Sequence, residues 1–406
     1  MRAWSVALPW ILVLMLAAVA RAGAAEIGDP GLAPLRGGTG MAGFALADKP
    51  REFEFPRDHG PHPEFRTEWW YVTGNLKSDR GERFGFELTF FRVALKPGGD
   101  ADAAGAVDDA GGVGDRAVSA WRTNQIYLAH FAVTDVARGK FSFAQKYERG
   151  AAGLAGAQAA PLRVWLDGWS IEQQGDVWKL RARQSDYGID LEARPETAPV
   201  LNGDRGLSVK SGEPGAASYY YSIPRMSIAG TITRAGTGEG AEAALRGPTA
   251  ATSPVAGTSG PVSVKGSAWL DREWSSSSLG ATEAGWDWFA LQMNDGSALM
   301  FYSLRNLDGT PNAQSAGTWI APSGQSYPLS SQDVVIEVTD HWTSRRGVRY
   351  PSRWHVRVPS RSLDVEVKPV LADQELGTSP RYWEGAVDVR GRTAGGEGYV
   401  ELVGYQ

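Results

Sequence analysis

The chain has 406 residues, 42% apolar and 21% charged, which is enough to bury a sizeable core and suggests two or three domains. It contains no cysteine. That excludes disulfide staples, thiolate catalysis, Cys-ligated zinc, iron–sulfur clusters and a lipid anchor on cysteine. A net charge of −5 argues against whole-surface binding to nucleic acid.

The first residues read as an export signal. Arg2 precedes an uncharged apolar run from Trp4 to Ala20, and the small residues of Ala20-Arg21-Ala22-Gly23-Ala24-Ala25 offer cleavage sites. We expect a cleaved signal over residues 1–24 and a periplasmic or secreted product, which implies a membrane export system as a partner. Residues 25–50, rich in Gly and Ala, read as a flexible leader. Gly38-Thr39-Gly40-Met41-Ala42-Gly43 within it matches G-x-G-x-x-G, but no strand precedes it and Pro50 follows, so no dinucleotide site is expected. No cofactor is expected elsewhere.

Short strand-like segments follow one another with little helical periodicity. Phe84–Phe90 alternates apolar with small or polar residues. Similar runs are 125–134, 163–165, 177–183, 187–193, 218–223, 226–233 and 262–270. The series continues with 286–293, 298–304, 334–338, 354–358, 363–367, 383–389 and 398–403. Turns such as Asn294-Asp295-Gly296 separate them. Segments 97–118 and 235–261, dominated by small residues, cannot bury enough apolar surface to offset their ordering entropy and read as mobile insertions in hairpins. The pattern predicts an all-β fold of antiparallel barrels or sandwiches.

A faint repeat suggests two related units. Glu68-Trp69-Trp70-Tyr71, a turn at Gly81 and a strand ending in Phe91-Arg92 are echoed by Trp286-Asp287-Trp288-Phe289, a turn at Gly296 and Leu304-Arg305. We place one domain at 50–275 and a second at 284–406, with the 235–261 segment as the competing boundary.

Chemistry has few markers. There is no G-x-S-x-G nucleophile elbow, no phosphate-binding P-loop and no H-E-x-x-H. His59 and His62 are three residues apart, but Pro61 and Pro63 keep the stretch extended, so no metal is assigned. In Trp269-Leu270-Asp271-Arg272-Glu273-Trp274 a strand would put Trp269, Asp271 and Glu273 on one face and Leu270, Arg272 and Trp274 on the other. The two carboxylates then form either a proton-transfer site, one of them raised in pKa by desolvation and like charge, or an ion-pair network with Arg272. Arg92 and Arg305 either hold an anionic head group or pair with Glu68 and Asp287. Many of the sixteen tryptophans lie in or beside strands, where they fill cores, line an apolar pocket or stack on sugars.

Phe55-Pro56-Arg57-Asp58-His59-Gly60-Pro61-His62, Phe65-Arg66-Thr67-Glu68-Trp69-Trp70-Tyr71, Trp269–Ser275, Gly285–Phe289 and Tyr382-Trp383-Glu384-Gly385 together resemble the AttH-like predicted secreted hydrolases, of the carotenoid 1,2-hydratase group. The resemblance implies two lipocalin-like, calycin-type β-barrels carrying a hydrophobic ligand such as a lipid or isoprenoid. Hydratase-like chemistry would need an acid, with Asp271 first and Glu273 second. It would also need aromatic rings to stabilise a cation, with Trp274 and Trp288 foremost. The expected ligand-binding set is Trp69, Trp70, Arg92, Trp274, Trp286, Trp288, Arg305, Trp383 and Glu384. A carbohydrate-binding or carbohydrate-cleaving β-protein is the alternative, and predicts Trp faces in an open groove.

Overall fold

A computed structural model describes residues 42–98, 123–213, 215–234, 260–277, 279–280, 282–392 and 394–405. The expected signal, most of the leader and nearly all of both insertions lie outside the described residues. The chain is all-β, with only two short 3₁₀ turns, Arg57–His59 and Pro359–Arg361, among the described residues.

Thirteen strands form the first sheet. They are β1 (Thr67–Ser78), β2 (Arg83–Ala94), β3 (Gln125–Asp135), β4 (Lys140–Arg149), β5 (Ala155–Ala159), β6 (Leu162–Leu166) and β7 (Trp169–Gln174), then β8 (Val177–Arg183), β9 (Tyr187–Pro195), β10 (Val200–Leu201), β11 (Leu207–Val209), β12 (Ala217–Arg234) and β13 (Gly260–Ser277). The other ten are β14 (Glu283–Met293), β15 (Ala298–Asn306), β16 (Ala316–Ile320), β17 (Ser326–Ser330) and β18 (Val335–Thr343), then β19 (Arg349–Val358), β20 (Leu363–Pro369), β21 (Glu375–Leu376), β22 (Tyr382–Gly391) and β23 (Gly395–Val403).

The first sheet runs β4-β3-β2-β1-β13-β12-β9-β8-β7-β6-β5, all antiparallel, and curls until β3 and β4 approach β6, nearly closing a barrel. The second runs β17-β16-β15-β14-β23-β22-β20-β19-β18 and makes a half-barrel. The orders match. In each, the first strand pairs with the second on one side and with the last on the other, which is the repeat glimpsed in the two aromatic hairpins. Residues 97–118 fall between the paired strands β2 and β3, and residues 235–261 between the paired strands β12 and β13, the last two of them opening β13.

Period-2 alternation sorts the aromatic residues. Trp70, Phe84, Phe86, Leu88, Phe90, Trp178 and Trp274 fill the first barrel. Phe289, Trp354, Trp383 and a set of valines fill the second. Neighbours of opposite parity, Tyr71, Tyr220, Trp269, Trp288, Met300 and Tyr302, form a third core pressed between the two sheets. Two segments expected as separate strands, 218–223 and 226–233, are one strand. The ladder shifts register between Ile223 and Met226, around Pro224, which has no N–H to contribute.

Candidate functional site

A cavity of about 110 Å³ opens in that third core, outside both barrels and between them. The first sheet contributes Trp69 and Tyr71 of β1, Phe91 of β2, Tyr220 of β12, and Asp271 and Glu273 of β13. The second contributes Trp286 and Trp288 of β14, Tyr302 and Leu304 of β15, Tyr382 of β22, and Glu401 and Val403 of β23. Lys210, Leu279 and Pro380 complete the wall.

β13 faces two ways, as its alternation predicts. Asp271 and Glu273 line the cavity. Arg272, between them, points into the first barrel, where Nη2 donates to Glu68 Oε2 at 3.0 Å and Nη1 to the Trp69 carbonyl at 2.7 Å. Its guanidinium lies 4.0 Å from the Trp70 ring. The expected ion-pair network between these carboxylates and Arg272 is not formed: Arg272 pairs with Glu68 of β1, while Asp271 and Glu273 stand on the cavity wall.

Asp271 is enclosed, 3% exposed. Tyr220 donates to Oδ2 at 2.5 Å, while Ser222 and the Trp269 indole donate to Oδ1 at 2.6 and 2.7 Å. The Trp288 indole N–H in turn donates to Tyr220 Oη at 3.1 Å. Burial pushes the Asp271 carboxyl up to about 7, opposed by the three donors and assisted by the charge of Glu273. Glu273 itself accepts from Ser218 and pairs with Lys210 at 3.2 Å. The Lys210 ammonium lies 3.7 Å from the centre of the Tyr302 ring.

Across the cavity, Glu401 accepts from the Trp286 indole at 2.9 Å. Burial, with Glu87, Asp271 and Glu273 nearby, raises it to about 8. Deeper between the sheets, two reciprocal pairs cross the interface. Tyr71 of the first sheet donates to Glu384 of the second, and Tyr382 of the second donates to Glu87 of the first at 3.1 Å. Burial raises Glu87 to about 7, and burial plus the neighbouring carboxyls hold Glu384 well above the ordinary range.

Several expected ligand-binding residues do work elsewhere. Trp70 and Trp274 belong to the first barrel's core, with the His62 ring stacked on Trp274 at 3.7 Å. Trp383 lies in the second core, its indole N–H donating to the Ala372 carbonyl. Arg92 is 1% exposed and pairs with Glu68, and Arg305 pairs with Asp287. These arginines anchor strands, the structural alternative weighed above. Glu384 sits behind the wall, bonded to Tyr71 rather than open to the cavity. His59 bonds Tyr221 at 2.6 Å, and His62 bridges Asp58 and Glu68 at 3.3 Å each, so this segment helps cap the first barrel.

Trp69, Trp286, Trp288, Asp271 and Glu273 are thus brought together as expected. Tyr71, Phe91, Lys210, Tyr220, Tyr302, Tyr382 and Glu401 had no place in the expected site. Glu401 did carry a signal, as the lone acid in the apolar strand Tyr399-Val400-Glu401-Leu402-Val403.

Two lipocalin-like antiparallel sheets, one a nearly closed barrel and one a half-barrel, with an aromatic, carboxyl-lined cavity between them define the class. The sequence matches the AttH-like family over residues 46–405, and the chain belongs to that family. A protein from Nitrosomonas europaea assigned as AttH is 31% identical, with a TM-score of 0.72 over 89% of this chain and 100% of its own. Kievitone hydratase from Nectria haematococca shares the fold at 13% identity, with a TM-score of 0.60 over 93% of this chain and 98% of its own. No curated protein matches the chain.

Proposed function

We propose that this protein binds a small hydrophobic, unsaturated molecule, of lipid or isoprenoid type, in the cavity between its barrels and performs proton chemistry on it as a hydratase-like lyase. The observation that carries the reading is Asp271, a carboxyl enclosed in an aromatic cavity and poised to gain or lose a proton near neutral pH. A simple carrier has no use for such a group. It calls for a long apolar lumen, whereas both lumens here are packed with side chains. A sugar-binding groove calls for exposed tryptophan faces, whereas most of the described tryptophans lie in the cores or wall the cavity between the sheets.

Hydration of an isolated alkene needs a proton delivered to carbon, a cation held in a dry site and a water that adds to it. Asp271 is a carboxyl placed to take part in these proton transfers. The rings of Trp69 and Trp288 supply aromatic surface that favours a nearby cation, while those of Tyr220 and Tyr302 already hold the Lys210 ammonium. Glu273 and Lys210 pair on the same wall, so neither is left without a partner there. The apolar run and small-residue site in residues 1–24 support an exported, periplasmic location for this activity.

Organic extraction of the purified protein, followed by mass spectrometry, tests the binding step. The expected result is an unsaturated apolar molecule, with less of it recovered from Trp69→Ala and Trp288→Ala. Recovery of sugars, or equal recovery of an apolar molecule from both variants, would count against the reading.

A further inference from the structure

Adding water to a double bond transfers two protons, one onto carbon and one off the incoming water. The two transfers can fall to one carboxyl acting in turn, or be divided between two carboxyls on opposite walls of the site.

We infer that Glu401 is the second proton-transfer group of this cavity, the giver paired with Asp271 as the taker. The inference rests on the proton chemistry proposed above and concerns a residue of the last strand. Both carboxyls line the same cavity, Asp271 from the first sheet and Glu401 from the second. Ladder register places Glu401 directly opposite Trp288 on β14, one of the rings facing the ligand space.

Hydrogen bonding sets their roles apart. Both oxygens of Asp271 are occupied, by donors from Tyr220, Ser222 and Trp269. Three donors and no acceptor favour the carboxylate, the form that takes a proton. Glu401 accepts a single hydrogen bond among the described residues, at Oε2 from Trp286. Its Oε1 is left to carry a proton. The surroundings favour that proton: Glu87, Glu384, Asp271 and Glu273 gather on this side of the interface, with Tyr71, Tyr382 and Tyr399 packed among them. His130 is held neutral by burial, and the nearby ammonium, Lys210, is already paired with Glu273. Burial raises Glu401 to about 8 and Asp271 to about 7, the order that these roles require.

The step balances. The π pair of the alkene takes the Glu401 proton, forming a C–H bond and leaving the adjacent carbon cationic. A water oxygen forms the C–O bond and loses its proton to Asp271. Alkene and water become an alcohol, one proton has moved from Glu401 to Asp271, and exchange with solvent restores the starting pair. Trp286 is a positioning residue, acting through its bond to Glu401.

Infrared titration of the carboxyl groups of the full-length, ligand-free protein tests the pair without a known substrate. The wild type should retain protonated-carboxyl absorption at neutral pH. Glu401→Gln should remove a component with a midpoint near 8, and Asp271→Asn should leave that component in place. Trp286→Phe keeps the carboxyl but removes its donor, and should move the midpoint up by about one pH unit. It serves as the readout if Glu401→Gln fails to fold. Neutral-pH absorption unchanged in Glu401→Gln, or a midpoint unmoved in Trp286→Phe, overturns the pair. Since no ligand enters the titration, that failure leaves the role of Asp271 in turnover to be judged on its own.

Discussion

At the scale of single residues, the same hexapeptide serves stability and chemistry by sending alternate side chains to opposite faces of one strand. Arg272 is fully buried and neutralises Glu68, which Arg92 also contacts. Burial alone would raise Glu68, but Arg92, His62 and Arg272 outweigh it and hold the carboxyl well below the usual range. Removing one partner of such a buried cluster leaves an uncompensated charge, which costs about 3–5 kcal/mol. Glu68→Gln, which strands the buried Arg92 and Arg272 together, should therefore lower stability by that amount in denaturant titration, and Arg272→Ala in the same background should restore part of it. A loss below about 1 kcal/mol would mean that Arg272 is held by its aromatic neighbours rather than by charge.

At the scale of strands, much of the fold was legible because half-buried antiparallel strands carry period-2 alternation and Gly- or Asp-rich turns. β2, β3, β8, β9, β14, β15, β22 and β23 are read from sequence within a few residues of their observed ends. β4 was missed because it is an edge strand, with Lys140, Gln145, Lys146 and Glu148 among its aromatic residues and no continuous apolar face. β13 runs on to Ser277, beyond the expected 270, because its polar residues are satisfied across the ladder by β1 and β12 rather than by solvent. Alternation also told which side chains of β13 share a face. It could not tell which face meets the other barrel, so Trp70, Trp274 and Trp383 were assigned to the ligand although they are core. Close packing explains one further feature. A Cβ on Gly266 of β13 would lie 1.9 Å from the Asn75 carbonyl oxygen of β1, so only glycine lets the two backbones approach there.

At the scale of the whole molecule, the two sheets are joined by a buried polar interface as well as by apolar contact. Asn75 donates to the Gly398 carbonyl at 3.0 Å, Gln292 to the Pro224 carbonyl at 2.8 Å, and Thr318 to Asn202 at 2.7 Å, besides the reciprocal Tyr71–Glu384 and Tyr382–Glu87 pairs. Glu87, Glu384, Glu401 and Asp271 all have raised pKa values in the folded chain. The folded protein therefore keeps protons that the unfolded chain has lost. The stability from these four groups is fully present below the ordinary carboxyl pKa of about 4. It declines as pH rises through about 7 for Asp271 and Glu87 and about 8 for Glu401. Glu68 acts in the opposite sense, its contribution present above the ordinary range and lost in strong acid. Melting temperature should accordingly fall between about pH 6 and pH 9. Glu384→Gln, which needs no proton to remain neutral, should flatten the decline. A melting temperature that rises across that interval would contradict this account of the interface.

The central claim is that Asp271 takes part in the proton transfers that hydrate an apolar ligand held between the barrels. Solvent-deuterium incorporation measures this most directly: full-length protein is incubated in D₂O with citronellol, a small isoprenoid bearing an isolated trisubstituted double bond, and the products are read by mass spectrometry. The account predicts carbon-bound deuterium in a hydrated product and a loss of at least about 100-fold in Asp271→Asn. Incorporation by Asp271→Asn at the wild-type rate would contradict it.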